Sequence, residues 1–156
     1  MMTILYYNEP AETLNLAMHS IFLVGPTPRS KDVKSWRPEA INILKDRKFN
    51  GTVIVPEWCP SVVRPKDSSY LNYVEWEHYG LEHCSRIAAW VPRNMKDMPA
   101  LTTNVEFGLY VKSGRVRYGR PNNAEHCRYL DWLYAKYNPQ PIFDNLTDLL
   151  IEAMKH

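Results

Sequence analysis

Short apolar runs alternate with helix-period segments along most of the chain. Ile21-Phe22-Leu23-Val24 is a continuous apolar run stopped by Gly25-Pro26, the pattern of a strand buried on both faces. From Trp36 to Lys48, the residues Trp36, Ala40, Ile43 and Leu44 fall near one helical face, and Ser35 is placed to cap that helix. Gly51-Thr52-Val53-Ile54-Val55, ended by Pro56, predicts a second strand, and Ile87-Ala88-Ala89-Trp90-Val91, ended by Pro92, a third. Between them Tyr70 to His83 is weakly periodic and aromatic, and predicts a helix despite Gly80. Asn104 to Lys112 predicts the next helix, stopped by Gly114, and Arg115 to Tyr118 a fourth strand closed by Gly119-Arg120-Pro121. Ala124 to Tyr137 predicts a helix with Cys127, Leu130, Leu133 and Tyr134 on one side. Ile142-Phe143 is a candidate edge strand, and Leu146 to Lys155 a terminal amphipathic helix.

Strands alternating with helices in this way imply right-handed βαβ units, a parallel sheet and one α/β domain over residues 1–156. In such sheets ligands bind beyond the carboxyl ends of the strands, where the strand order reverses. That directs attention to Gly25 to Ser35, Pro56 to Ser69, Pro92 to Thr103 and Gly119 to Asn123.

Composition narrows the class further. The chain is 45% hydrophobic and 23% charged, with a net charge of +2 spread along its length, which gives no nucleic-acid groove. Cys59, Cys84 and Cys127 are too few and too far apart for a disulfide framework or a zinc motif. No Lys or Arg precedes Arg29, and Glu9 and Glu12 interrupt the first apolar run, so no signal peptide is expected. The longest apolar stretches are too short to cross a bilayer. A soluble cytoplasmic protein without metal or cofactor, and without a nucleic-acid or membrane partner, is the expectation.

The common nucleotide and hydrolase signatures are missing: no GxGxxG, no GxxxxGK[ST] and no GxSxG occur. His78 and His83 would lie roughly 140° apart on a helix, which makes them solvent-facing rather than a metal pair. More informative is Leu101 to Gly108. Thr103 and Glu106 form a T-x-x-E capping box, whose side chains would bond each other's backbone amides. The alternative turns Glu106 into the cleft, an anionic nucleophile kept ionised by the positive end of the helix dipole. Gly108, inside the helix, implies close approach of a ligand or a neighbouring strand. Of Glu75 and Glu77 at most one can serve a pocket, and Trp76 between them reads as core. Arg29 and Arg37 are candidates for holding an anion.

These segments, taken in order, resemble the nucleoside 2-deoxyribosyltransferase-like family. The likeness rests on Phe22-Leu23-Val24-Gly25-Pro26, Ser35-Trp36-Arg37, Val53 to Glu57, Trp76-Glu77, Thr102-Thr103-Asn104-Val105-Glu106-Phe107-Gly108, and Tyr118-Gly119-Arg120-Pro121 followed by Tyr129-Leu130-Asp131. The resemblance implies a flavodoxin-like parallel sheet flanked by helices, and transfer of a 2-deoxyribosyl group between bases with retention. It implies that Glu106 is the nucleophile, that Glu77 handles the base, and that Gly25 and Pro26 form the turn beside the nucleoside. Members of the family carry an aspartate six residues before the nucleophile; Ala100 stands there, with Asp97 the nearest substitute.

The expectation is therefore an enzyme in which Glu106 attacks C1′ of a 2′-deoxynucleoside or its 5′-phosphate. Glu77 or Asp97 exchanges a proton with the base, and Trp36 or Trp90 stacks on it. Phe22 and Asn104 complete the substrate contacts, and Arg29 or Arg37 serves a phosphate if one is present. The alternatives are an N-glycoside hydrolase and a nucleotide-binding domain without turnover. A homo-oligomer is also expected, with Leu146, Leu149, Leu150 and Ala153 supplying contact area.

Overall fold

The structure, a computed structural model, describes residues 1–9 and 19–155; Glu12 falls outside them. Its strands are β1 (Thr3–Tyr6), β2 (Ser20–Val24), β3 (Thr52–Val55), β4 (Arg86–Trp90) and β5 (Val116–Gly119). Its helices are α1 (Arg37–Asp46), α2 (Tyr70–His83), α3 (Leu101–Tyr110), α4 (Arg128–Tyr137) and α5 (Leu146–Ala153). The strands form one all-parallel sheet in the order β1-β3-β2-β4-β5. β2 lies at its centre, with every residue buried. This is the flavodoxin-like α/β arrangement, with β1 added at one edge.

Side chains leave each strand alternately to the two faces, and the core divides accordingly. Phe22, Val24, Ile54, Ile87 and Ala89 pack with Trp76, Leu81, Phe107 and Tyr134 of α2, α3 and α4. Ile21, Leu23, Val53 and Ala88 pack on the other face with Ala40 and Leu44 of α1 and with Leu149 and Leu150 of α5. Gly80 sets how deeply α2 settles, because a Cβ there would stand 2.8 Å from the Phe22 ring. No helix among the described residues is long and apolar enough to cross a membrane.

Several boundaries differ from the sequence expectation, each for a local reason. Residues 3–6 form an unexpected strand, pairing Thr3 with Thr52 and Tyr6 with Val55. Only Leu5 of β1 is buried, so its pattern carries little signal. Trp36, not Ser35, is the N-cap of α1, although the Ser35 hydroxyl still accepts from the Arg37 amide at 3.2 Å. α4 starts at Arg128 rather than Ala124, because His126 takes a left-handed backbone at φ 52° that a helix cannot contain. Ile142-Phe143 makes only a single parallel bridge, Gly119 to Phe143, beside β5.

Two further expectations are corrected. Leu146, Leu149, Leu150 and Ala153 of α5 are buried in the chain's own core and are not free to meet a partner, while Ile151 on the same helix is half-buried. Gly108 has nothing within 4 Å of the place its Cβ would take, so no strand among the described residues approaches it closely. Gly108 therefore costs helix stability without a packing return. Gly108→Ala should stabilise the fold by about 1 kcal/mol, measured by urea unfolding; a destabilised variant would show that the glycine has a structural use.

Candidate active site

The chain leaves β2 toward β3 on one side of the sheet and later returns to β4 on the other side. The loops after β2 and β4 therefore diverge, and a crevice opens beyond the strand ends. A cavity of about 560 Å³ lies there. Gly25, Pro26 and Thr27 after β2, Pro56 after β3, and Pro99 and Ala100 before α3 form its floor and ends. One face of α2, including Tyr73, Val74 and Glu77, closes one side, and Leu101, Val105, Glu106 and Leu109 of α3 close the other.

The turn after β2 is held from behind. A Cβ at Gly25 would meet the Trp90 carbonyl oxygen at 2.1 Å and the Trp36 ring at 2.7 Å, so only glycine fits. The Trp36 indole donates to the Pro26 carbonyl at 3.1 Å. Trp36 and Trp90 are buried supports of the turn and do not line the cavity, which removes them as stacking platforms. Phe22 is likewise core, beneath Gly80 and near Trp76.

Arg37 fixes the same region from below. The residue is almost fully buried, at 1% exposure. Nε donates to the Leu23 carbonyl at 3.1 Å and Nη2 to the Gly25 carbonyl at 2.7 Å. Nη1 donates to the Thr27 hydroxyl at 3.0 Å and to Glu57 Oε1 at 2.7 Å. With four of its five N–H donors taken up in this way, Arg37 is chiefly a structural clamp that also forms part of the wall. Arg29 is exposed and lines the cavity mouth.

The two acids singled out by the sequence do face one cavity. Glu77 is reached by the Tyr7 hydroxyl, which donates to its Oε1. Burial pushes the Glu77 carboxyl up to about 8, and the negative charge of Glu106 adds to that rise. Burial pushes Glu106 up to about 7, opposed by the Arg37 guanidinium.

The local setting of Glu106 differs from the capping-box expectation. α3 begins at Leu101, and its N-cap is Ala100, in a left-handed backbone at φ 58° and ψ 41°, with no side-chain cap. Thr103 and Glu106 lie inside the helix, Thr103 buried and Glu106 in the second turn. The dipole effect is concentrated in the first turn, so desolvation outweighs it and Glu106 is less acidic than expected.

The other expected contacts lie elsewhere. The Asn104 side chain accepts from the buried Arg93 guanidinium, which also donates to the His126 carbonyl at 2.6 Å. Asp97 is outside the cavity lining, and its carbonyl accepts from the Arg29 amide at 3.1 Å. Asp131 pairs with Arg120 at 2.7 Å and accepts from Tyr118 at 2.9 Å, tying β5 to α4 away from the cavity. His78 lines the cavity rim, whereas His83 stacks on Tyr79 at 4.1 Å. Tyr7, which follows Tyr6 at the end of the unexpected strand β1, also lines the cavity, and no motif marks it.

Residues 18–123 of the 156 match the family described as nucleoside 2-deoxyribosyltransferase like. The chain belongs to this family. A nucleoside is thus the class of small molecule to be considered for the cavity, and a deoxyribosyltransferase-like enzyme the class of protein. No curated protein matches the chain. The matched segment contains Glu77 and Glu106, whereas β1, Tyr7, α4 and α5 lie beyond it.

Two raised carboxyls make stability depend on pH in a defined direction. Glu77 moves from 4.5 to about 8, so the folded chain holds a proton that the unfolded chain releases between those values. Its contribution is full below pH 4.5 and is lost as the pH rises through about 8. The melting temperature of the wild type should fall more steeply between about pH 5 and about pH 9 than that of Glu77→Gln. Equal slopes in a thermal melt series would show that Glu77 is not held protonated by burial.

Proposed function

We propose that the protein transfers the 2-deoxyribosyl group of a 2′-deoxynucleoside, or of its 5′-phosphate, through an ester between Glu106 and C1′. One observation carries the reading: a single cavity holds two desolvated carboxyls, one raised to about 7 and the other to about 8. N-glycosidic cleavage needs one carboxylate and one carboxylic acid at once. Glu106, the easier to ionise, attacks C1′. Glu77 gives its proton to the departing nitrogen, since an unprotonated base is a poor leaving group. A second base then displaces Glu106 from C1′ and returns a proton to Glu77, so two inversions give retention. Tyr73, Val74, Leu101 and Val105 supply the apolar walls between which a base would lie. Arg29 is the cation available at the mouth for a 5′-phosphate.

The assay is incubation with deoxyinosine and adenine. Newly formed deoxyadenosine is the expected product. Free deoxyribose would make the protein a hydrolase, and binding without either product a nucleotide-binding domain. Because Glu106 must be ionised and Glu77 protonated, kcat/KM should be bell-shaped with limbs near pH 7 and pH 8. Glu106→Gln should abolish turnover and leave binding intact. Near-normal rates in that variant overturn the nucleophile assignment.

A homo-oligomer belongs to the same proposal, through a different face from α5. Leu101, Val105 and Leu109 form an exposed row along α3 at the cavity's edge, with Tyr70 and Leu71 of α2 also exposed. A second copy of the chain covering this row would bury apolar surface and close the cavity mouth. Light scattering at micromolar concentration should give a dimer or larger; a monomer overturns this.

A further inference from the structure

We infer that Tyr7 is a positioning residue for the proposed acid: its hydroxyl decides which oxygen of Glu77 carries the proton given to the leaving base. The inference rests on the reading of Glu77 as that acid. It starts from the edge strand. β1 lies outside the segment shared with the family, yet it places Tyr7 on the cavity wall.

Tyr7 is held firmly there. Its amide donates to the Glu57 carbonyl at 3.0 Å, which continues the pairing of β1 with β3 past Tyr6. Its ring packs against Tyr73 at 4.7 Å and edge-on to Trp76 at 5.0 Å, centroid to centroid. The phenol O–H so placed donates to Glu77 Oε1. Six other ionisable or charged groups share this surrounding: Glu106 from α3, Tyr70, Tyr73 and His78 from α2 itself, Arg29 from the loop after β2, and Arg37 from α1. Arg37 of α1 acts on Glu106 rather than on Glu77.

A carboxylic acid has one O–H. With Oε1 accepting from Tyr7, the proton belongs on Oε2, the oxygen left for the substrate. When the C1′–N bond breaks, its electron pair takes the Oε2 proton while Glu106 forms the new bond to C1′. The base leaves neutral, and Glu77 is left as the carboxylate. The Tyr7 hydrogen bond then has a charged acceptor and becomes roughly twice as strong. Tyr7 therefore favours the product side of the proton transfer over the ground state, which is the condition for raising kcat rather than lowering KM.

Tyr7→Phe keeps the ring and removes only the donor. Glu77 should then be harder to ionise, because its carboxylate loses a hydrogen bond. The primary measurement is the titration of the Glu77 carboxyl by 13C NMR in the ligand-free protein. Its midpoint should rise by about one pH unit in the variant, an order-of-magnitude expectation for one lost hydrogen bond. In the deoxynucleoside assay the alkaline limb of the pH profile should move up by the same amount. The maximal kcat should fall roughly tenfold, with KM little changed. A melting temperature near that of the wild type would accompany this. A purely structural tyrosine would lower stability and leave both midpoints in place. An unmoved Glu77 midpoint overturns the inference whatever the activity. A raised midpoint in a protein that cleaves no deoxynucleoside supports the Tyr7–Glu77 coupling and overturns the reading of the site instead.

Discussion

A guanidinium buried under the end of a parallel sheet organises the rest of this molecule. Arg37 bonds to the last turn of backbone leaving β2, to Thr27 beyond it, and to Glu57 beyond β3. Those contacts join two neighbouring strand ends and the turn that forms the cavity floor. Burial lowers the pKa of Arg37 from its ordinary value, and the Glu57 carboxylate opposes that shift. An ion pair of this kind adds little net stability compared with a hydrophobic substitute, but losing one partner leaves an uncompensated buried charge, at about 3–5 kcal/mol. Its main effect is geometrical. The glycine turn cannot drift, and the positive charge stands at a fixed place beside Glu106.

The same charge explains why the two acids differ. Both are desolvated, and desolvation alone would raise both. Arg37 lowers Glu106, whereas Glu106 raises Glu77. A cation whose charge acts on one of the two acids favours ionisation of that one first, the acid on α3. Two side chains of one residue type are thus made unequal by position alone. The cost is that two carboxyls are kept from water.

Much of this architecture is visible in the residues, and what is hidden has definite physical causes. β2, β3 and β4 are legible because central parallel strands are buried on both faces and end at glycine or proline. β1 is half exposed and lacks that signature. The start of α3 depends on Ala100 adopting a left-handed backbone, which nothing in an alanine announces. Glu77 and Glu106 stand out through their motifs. Trp36 and Trp90 stand out equally, yet they brace the Gly25 turn from behind. A motif records that a residue matters to a site, and it does not distinguish the side facing the ligand from the side facing the core. Arg37 illustrates the same ambiguity, since a clamp and an anion receptor use one side chain.

The contact beneath Gly80 connects the core to the cavity. Glu77 lies three positions before Gly80, about one helical turn away, on the helix whose depth is set by the Phe22 ring. Whatever occupies those two core positions therefore acts as a spacer for the acid. A methyl group added at Gly80 would lift α2 from the sheet and carry Glu77 with it. A smaller side chain at Phe22 would let the helix sink. The separation of the two carboxyls, and through it the pH at which they share a proton, is then a mechanical property of the sheet's interior. Such a protein has room to be retuned for a different acidity by changes that never touch the ligand.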